Sequence, residues 1–291
     1  MGSIINLNGK FVRKEKAVIS VFDHGLLYGD GVFEGIRSYN GRVFKLDEHI
    51  ERLYTSAKAI TMNIPISKEK MKAEIVATIK KNKLKDSYIR VVVTRGVGDL
   101  GLNPVKCPKA FYFVIAASIT LYPEKFYREG LPVICVSTRR NISEALNPMI
   151  KSLNYLNNIL AKIEANNAEV LEAIMLNREG YVAECTGDNI FIVKNGELIT
   201  PPTYIGALEG ITRDTVMQLA KDMGYKASEK PFTMVDMYVA DECFLTGTAA
   251  EVIPVINVDT RNIGNGKPGP ITKKLIEAYR EMTRTQGTEV Y

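Results

Sequence analysis

The chain opens on a two-residue alternation of apolar and polar positions. Ile4–Leu7 and Lys10–Arg13 flank Asn8-Gly9, and Asn-Gly supplies the positive φ angles of a tight hairpin turn. Val18–Phe22 reads as a further strand, and a glycine-rich passage from Gly25 to Gly35 follows. The period then changes. Over Asp47–Met62 the residues Ile50, Leu53, Ala57 and Ile60 recur at helical spacing on one face. Ser67 is placed to cap a second helix in which Met71, Ile75 and Ile79 form one stripe. Strands are expected at Tyr88–Thr94 and Ala110–Ala117.

The pattern lapses over residues 118–130, where Pro123 and Gly130 stand among mixed polar residues. This divides the chain into a small N-terminal α/β domain (1–120), a linker (121–130) and a larger C-terminal α/β domain (131–291). The second domain reads as a strand at Pro132–Val136, a helix near Leu153–Ala165 and two strands around a turn at Asn177–Gly180. A hairpin follows over Asn189–Val193 and Glu197–Thr200. A helix from about Thr212 to Met223 is closed by Gly224. Strands near Glu242–Leu245 and Glu251–Val258 precede a last helix opened by Pro270. Hairpins and helices are interspersed, which is the order of an α+β protein.

Composition narrows the class only a little. At 46% hydrophobic and 24% charged, the 291 residues match a soluble globular protein. The net charge of +5 is spread along the chain. Its longest basic cluster, Lys80–Lys85, ends an expected helix and reads as a solvated face, so no nucleic-acid partner is expected. The first residues lack the layout of a signal peptide, and no apolar run approaches the ~20 residues of a membrane span. Four scattered cysteines and two histidines make a zinc site a poor reading and fit a reducing compartment. A cytoplasmic protein without a metal is expected.

One motif is a decoy. Gly96-Val97-Gly98-Asp99-Leu100-Gly101 has the glycine spacing of a dinucleotide loop, but that loop works only when a helix begins at once. Leu102-Asn103-Pro104 prevents it.

The remaining chemistry points to lysine. Lys151 lies among Pro148, Met149, Ile150 and Leu153. Apolar surroundings favour a neutral amine, as a Schiff-base lysine requires; a lysine that snorkels to water fits the local pattern as well. Glu184, in Tyr181-Val182-Ala183-Glu184-Cys185, is either a buried acid in need of a partner or an edge-strand glutamate facing solvent. Gly210-Ile211-Thr212 leads into a helix, and Thr246-Gly247-Thr248-Ala249-Ala250 is a run of small residues between strands. Both suit an anion. Together these are the parts of a pyridoxal 5'-phosphate site: an imine lysine, an acid for the ring nitrogen and a phosphate cradle.

At this point the chain resembles the fold-type IV pyridoxal-phosphate enzymes, and within them the branched-chain aminotransferases. The specific stretches are Glu184-Cys185-Thr186-Gly187-Asp188-Asn189-Ile190-Phe191 and Leu208-Glu209-Gly210-Ile211-Thr212-Arg213. Ile150–Tyr155 resembles the cofactor-lysine segment, and His49-Ile50-Glu51-Arg52-Leu53 the helix with a phosphate-binding arginine. The resemblance implies that Lys151 carries the cofactor as a Schiff base and shuttles the substrate proton. It implies that Glu184 pairs with the ring nitrogen and Tyr155 with the phenolic oxygen. Arg52, Ile211, Thr212 and Thr248 would hold the phosphate, and Leu208 would pack on the ring.

Three activities share this fold: branched-chain L-amino acid transamination, D-amino acid transamination and aminodeoxychorismate lysis. Val32–Arg37 and Gly247–Val252 resemble the first. There, Tyr28, Phe33 and Tyr88 would shape an apolar pocket, with Gly35 and Arg37 beside it. The Thr248 and Ala249 amides would receive the α-carboxylate, and Arg90 the distal carboxylate of glutamate or 2-oxoglutarate. D-specific relatives carry Arg-x-His in the loop after Thr94-Arg95-Gly96, where this chain has Gly98-Asp99-Leu100-Gly101. The resemblance also implies a homodimer or larger homo-oligomer, with amino acids and 2-oxo acids as its small-molecule partners and the cofactor between the domains.

Overall fold

The computed structural model describes residues 3–119 and 121–291; Met1, Gly2 and Thr120 lie outside the described residues. The chain divides into two compact units. Unit 1 comprises residues 1–119, 150–154 and 283–291, and unit 2 comprises 120–149 and 155–282. The short segment around Lys151 thus belongs with the N-terminal residues.

Unit 1 begins with the hairpin β1 (Ile4–Leu7) and β2 (Lys10–Arg13), turned by Asn8 and Gly9 at positive φ. No strand forms at 18–22. Val18, Val21 and Phe22 are exposed, and Asp23 instead caps a one-turn helix, α1 (His24–Tyr28), by accepting from the Gly25 amide. The apolar run there faces water and finds no sheet neighbour. After it come β3 (Gly31–Tyr39), β4 (Arg42–Val43), α2 (Leu46–Ala59), α3 (Lys68–Asn82), β5 (Ser87–Thr94) and β6 (Phe111–Ala117).

These strands make one seven-stranded sheet, in the order Thr288–Glu289, β4, β3, β5, β6, β1, β2. Helices α2 and α3 cover one face. Leu46, Ile50, Leu53 and Ala57 of α2 are buried against Val32 and Ile36 of β3 and Ile89, Val91 and Val93 of β5. Burying each large aliphatic side chain is worth about 1.5–3 kcal/mol. Ser67 caps α3 through the Lys70 amide. Because side chains alternate along a strand, the opposite face carries Phe33, Gly35 and Arg37 of β3 with Tyr88 and Arg90 of β5, in the register Gly35–Arg90 and Arg37–Tyr88.

The segment 150–154 docks beside β3 as a short extended piece. Phe33 donates its amide to the Lys151 carbonyl at 3.0 Å, and Leu153 donates to Gly31 at 2.9 Å.

Unit 2 starts with α4 (Glu124–Glu129), where the pattern led us to expect a linker, and continues through β7 (Leu131–Cys135), α5 (Ser143–Leu146) and α6 (Leu156–Asn167). Next come β8 (Ala173–Leu176), β9 (Val182–Cys185), β10 (Asn189–Lys194), β11 (Glu197–Thr200), α7 (Ile211–Asp222) and β12 (Ala227–Glu229). The unit closes with α8 (Met234–Tyr238), β13 (Glu242–Gly247), β14 (Glu251–Val258), β15 (Arg261–Asn262) and α9 (Pro270–Thr285), the last running on into residues assigned to unit 1.

Its sheet runs β12-β11-β10-β13-β14-β7-β8-β9, with β15 paired to β14. One face buries Ile190, Ile192, Leu245, Ile253 and Val255. On β10 and β13 the alternate residues Phe191 and Phe244 stack with ring centroids 4.9 Å apart. Gly224, at φ +81°, follows the last turn of α7 as its spacing predicts.

Candidate active site

In unit 1 the side chains singled out from the sequence meet around Phe33. The Arg90 guanidinium lies over the Phe33 ring at 4.5 Å and over Tyr88 at 5.4 Å. The Lys151 Nζ stands 4.7 Å from the same Phe33 ring. Gly35 lies directly under Tyr88: a Cβ there would come within 2.1 Å of the Tyr88 hydroxyl. Lys151, Phe33, Gly35, Tyr88 and Arg90 are therefore one cluster. Arg37 shares their sheet face but stacks on Tyr39 at 4.6 Å. Tyr28 does something different. Its hydroxyl donates to the Leu100 carbonyl, and the His24 ring bonds Asp99 at 2.7 Å, so α1 ties down the glycine-rich loop. No α-helix follows that loop; only the single 3-10 turn Pro104–Lys106 does.

Beneath this face, Glu34 is wholly buried. Arg52 of α2 grips it with two bonds, Nε to Oε1 at 2.7 Å and Nη2 to Oε2 at 2.8 Å, and His49 Nδ1 adds a third at 2.8 Å. Burial alone would push the Glu34 carboxyl up, but the guanidinium and the imidazole outweigh it and hold it down at about 2. Burial also lowers His49, against the pull of Glu34. A neutral His49 donates from Nδ1 and so keeps Nε2 as an acceptor. Sequence parity carried a hint of this. Glu34 falls between Val32 and Ile36, both core residues, and an acid on a core face needs a cation.

In unit 2, Glu184 proves to be buried, and its partner is Arg140, which the sequence did not single out. Arg140 Nε and Nη2 reach Oε1 at 2.7 and 2.6 Å. The Leu208 amide and the Asn189 side chain donate to Oε2 at 2.9 and 3.2 Å. Asn157 and Asn158 of α6 hold the far side of the guanidinium at 3.2 and 3.1 Å. Leu208 is thus tied to Glu184 through its backbone.

Ile211 and Thr212 open α7, whose N-cap is Gly210 and which no side chain caps. The first amides of a helix lack intrahelical acceptors and sit at its positive end. Thr248 and Ala249 lie in the turn between β13 and β14. At the head of that turn the Thr246 hydroxyl is fully buried without a hydrogen-bond partner among the described residues. Tyr155 stands at the N-cap of α6. The side-chain partners of Glu184 are Arg140 and Asn189; Tyr155, Thr212 and Thr248 are not among them.

Comparison with known proteins extends these observations over the whole length. Residues 31–258 match the family described as amino-transferase class IV. A protein of Methanocaldococcus jannaschii is 55% identical, with 99% of each chain covered; its name, branched-chain-amino-acid aminotransferase, is provisional. The D-alanine aminotransferase of Bacillus licheniformis is 36% identical over 94% of each chain. Among solved structures, the branched-chain amino acid aminotransferase of Thermobaculum terrenum in its PLP form superposes with a TM-score of 0.87 at 32% identity, covering 97% of this chain and 94% of that one. A lysine set against an aromatic ring, an acid held by an arginine and an uncapped helix start all lie within the matched span: the chain belongs to the class IV aminotransferases.

Proposed function

We propose that the chain is a pyridoxal-phosphate-dependent branched-chain aminotransferase, moving the amino group of leucine, isoleucine or valine to 2-oxoglutarate. The observation that carries this reading is the Phe33 cluster. It sets an apolar aromatic surface and a guanidinium side by side, next to the Lys151 amine. A branched aliphatic chain packs on Phe33 and Tyr88. The distal carboxylate of glutamate or 2-oxoglutarate takes the edge of Arg90, whose planar fork matches a carboxylate. One site then serves both substrates.

The residues fit the cofactor by their chemistry. The uncapped start of α7 and the unpartnered Thr246 hydroxyl suit a phosphate ester. Glu184, held by Arg140, offers an oriented acceptor to a ring N–H. Bound there, the cofactor supplies an electron sink for charge at the substrate Cα. Lys151 would hold it through Nζ and would take and return the α-proton of the substrate. Arg52, Ile211, Thr212 and Thr248 bind the phosphate, Tyr155 the phenolic oxygen and Leu208 the ring face. The amides of Thr248 and Ala249 orient the α-carboxylate, beside Tyr28, Gly35 and Arg37.

The active form in this reading is a homodimer or larger homo-oligomer. Val18, Val21, Phe22, Leu26, Leu100, Leu102 and Val105 are all exposed on the two segments that α1 ties together. An apolar patch of this kind marks an interface, and a second copy is its partner. The free state of all four cysteines supports a cytoplasmic location, and no helix among the described residues is long and apolar enough to cross a membrane.

The test is an absorption spectrum. Protein loaded with pyridoxal phosphate is expected to show a visible band that bleaches on adding L-leucine and returns with 2-oxoglutarate. A band responding to D-alanine alone would overturn the specificity, and a band unchanged in Lys151→Ala would overturn the role of the lysine. Sedimentation tests the oligomer: a monomer with full activity contradicts it.

A further inference from the structure

Beside the proposed anion turn, unit 2 buries two carboxylates that pair with no cation among the described residues. Glu172 and Asp188 are 3% and 6% exposed. The Tyr122 hydroxyl lies between them, 3.0 Å from Asp188 Oδ2 and 3.3 Å from Glu172 Oε2. One hydroxyl proton serves one of these oxygens at a time. Glu172 is otherwise well satisfied: its Oε1 accepts from the Ala173 amide at 2.8 Å, the Thr186 amide at 2.9 Å and the Thr186 hydroxyl. Asp188 Oδ1 sits against the turn itself, so close that a Cβ on Gly247 would come within 2.0 Å of it.

We propose that Asp188 is a positioning residue for the Thr246–Ala250 turn and acts as a protonated carboxylic acid, so that losing its proton weakens anion binding at Thr248 and Ala249. Two buried carboxylates sharing a hydroxyl do not both ionise readily. Three donors already surround Glu172 Oε1, whereas Asp188 Oδ2 has the Tyr122 hydroxyl, and the proton stays on Asp188. The charges of Glu172, before β8, and Glu184, on β9, act on Asp188 in the same sense, the Cys185 amide bonds the Asp188 carbonyl at 2.8 Å, and Tyr122 lies ahead of α4. The cation that opposes them, Lys162 of α6, donates its ammonium to the Leu171 carbonyl. Burial and the Glu172 charge push Asp188 up to about 7, against the Tyr122 bond and Lys162. Burial and the two acids also push the Tyr122 phenol up, so the phenol remains a donor throughout.

The inference rests on the reading that this turn receives the substrate carboxylate. Its test compares holoenzyme and Asp188→Asn, with 4-methylvaleric acid as an unreactive branched carboxylate. The dissociation constants are expected to agree at about pH 5.5 and to differ about tenfold at about pH 8.5, with the parent protein weaker, as one uncompensated nearby charge implies. Infrared spectra should show a carboxylic-acid C=O band that titrates away at about pH 7 in the parent and is missing from Asp188→Asn. Tyr122→Phe removes a donor that favours the charged form, so the band should titrate at higher pH. A dissociation-constant ratio independent of pH, or no band at low pH, overturns the inference. Failure of the functional reading looks different: neither transamination nor binding of the acid at any pH, with the infrared band intact.

Discussion

Glu34 in unit 1 and Asp188 in unit 2 are acids of nearly equal burial, yet their carboxyl groups are driven in opposite directions, to about 2 and about 7. The difference lies in the neighbours. Glu34 is clasped by a forked guanidinium and an imidazole, whereas Asp188 faces a second carboxylate across a tyrosine hydroxyl. Burial penalises the charged form in both places. Only the first site holds a cation strong enough to reverse that penalty. Glu184 also has an arginine, Arg140, bonded to it. Unit 1 thus fixes a charge where Arg52 meets Glu34, and unit 2 stores a proton where Asp188 meets Glu172.

Removing a cation from the first kind of site should have the largest effect. Arg52→Ala leaves Glu34 buried with His49 but without its guanidinium, and is expected to cost about 3–5 kcal/mol in urea unfolding, with weaker retention of pyridoxal phosphate. Arg140→Ala should do the same to unit 2. Arg52→Lys keeps the charge but loses the fork, and about 1–3 kcal/mol is expected to go with it.

Acid and base titrations of stability separate the two clusters. Glu34 is lowered from 4.5 to about 2, so its contribution is present above pH 4.5 and lost as pH falls toward 2. Asp188 is raised from 3.8 to about 7, so the folded state retains a proton that the unfolded state releases, and stability falls as pH rises across that window. Asp188→Asn should flatten the second slope and gain about 1–3 kcal/mol above it. A slope unchanged in calorimetry would contradict the assignment.

Gly247→Ala drives a methyl into Asp188 and should cost about 1–3 kcal/mol. Repeating it in Asp188→Ala should recover about 1 kcal/mol of that cost. Last, Lys68→Ala breaks an ion pair with Glu51 whose side chains are 38% and 65% exposed; a change under about 0.5 kcal/mol is expected.

Local pattern made the regular elements legible. The hairpin at Asn8-Gly9, the stripe of α2, the cap at Ser67 and the stop at Gly224 each depend on residues within a turn or two of one another. The short α1 was hidden because Val18–Phe22 is apolar without being buried, and alternation is informative only where one face is covered. The helix α4 was hidden by Pro123, which serves as its N-cap. The site divides in the same way. Lys151, Glu184 and Arg52 lie in recognisable runs. Arg140 is 44 residues from the acid it neutralises, and the Tyr122 contacts to Glu172 and Asp188 span 50 and 66 residues. Nothing in Leu171-Glu172-Ala173 distinguishes that acid from a surface one, because its character comes from where the fold places it.

The docking of 150–154 on β3, with Thr288–Glu289 on β4, bears on how the protein is made. Synthesis delivers β1 to β6 first, but the lysine-bearing piece of unit 1 arrives only after residues 120–149, and the last pairing of its sheet waits for Thr288–Glu289. The early-made half is therefore the late-finished one. While the ribosome works through unit 2, β4 stands as an open sheet edge, which is when such edges find wrong partners. A truncation ending at residue 282 should retain the compact unit 2 and yet aggregate through unit 1, a failure seated far from the missing residues in sequence but next to them in the sheet.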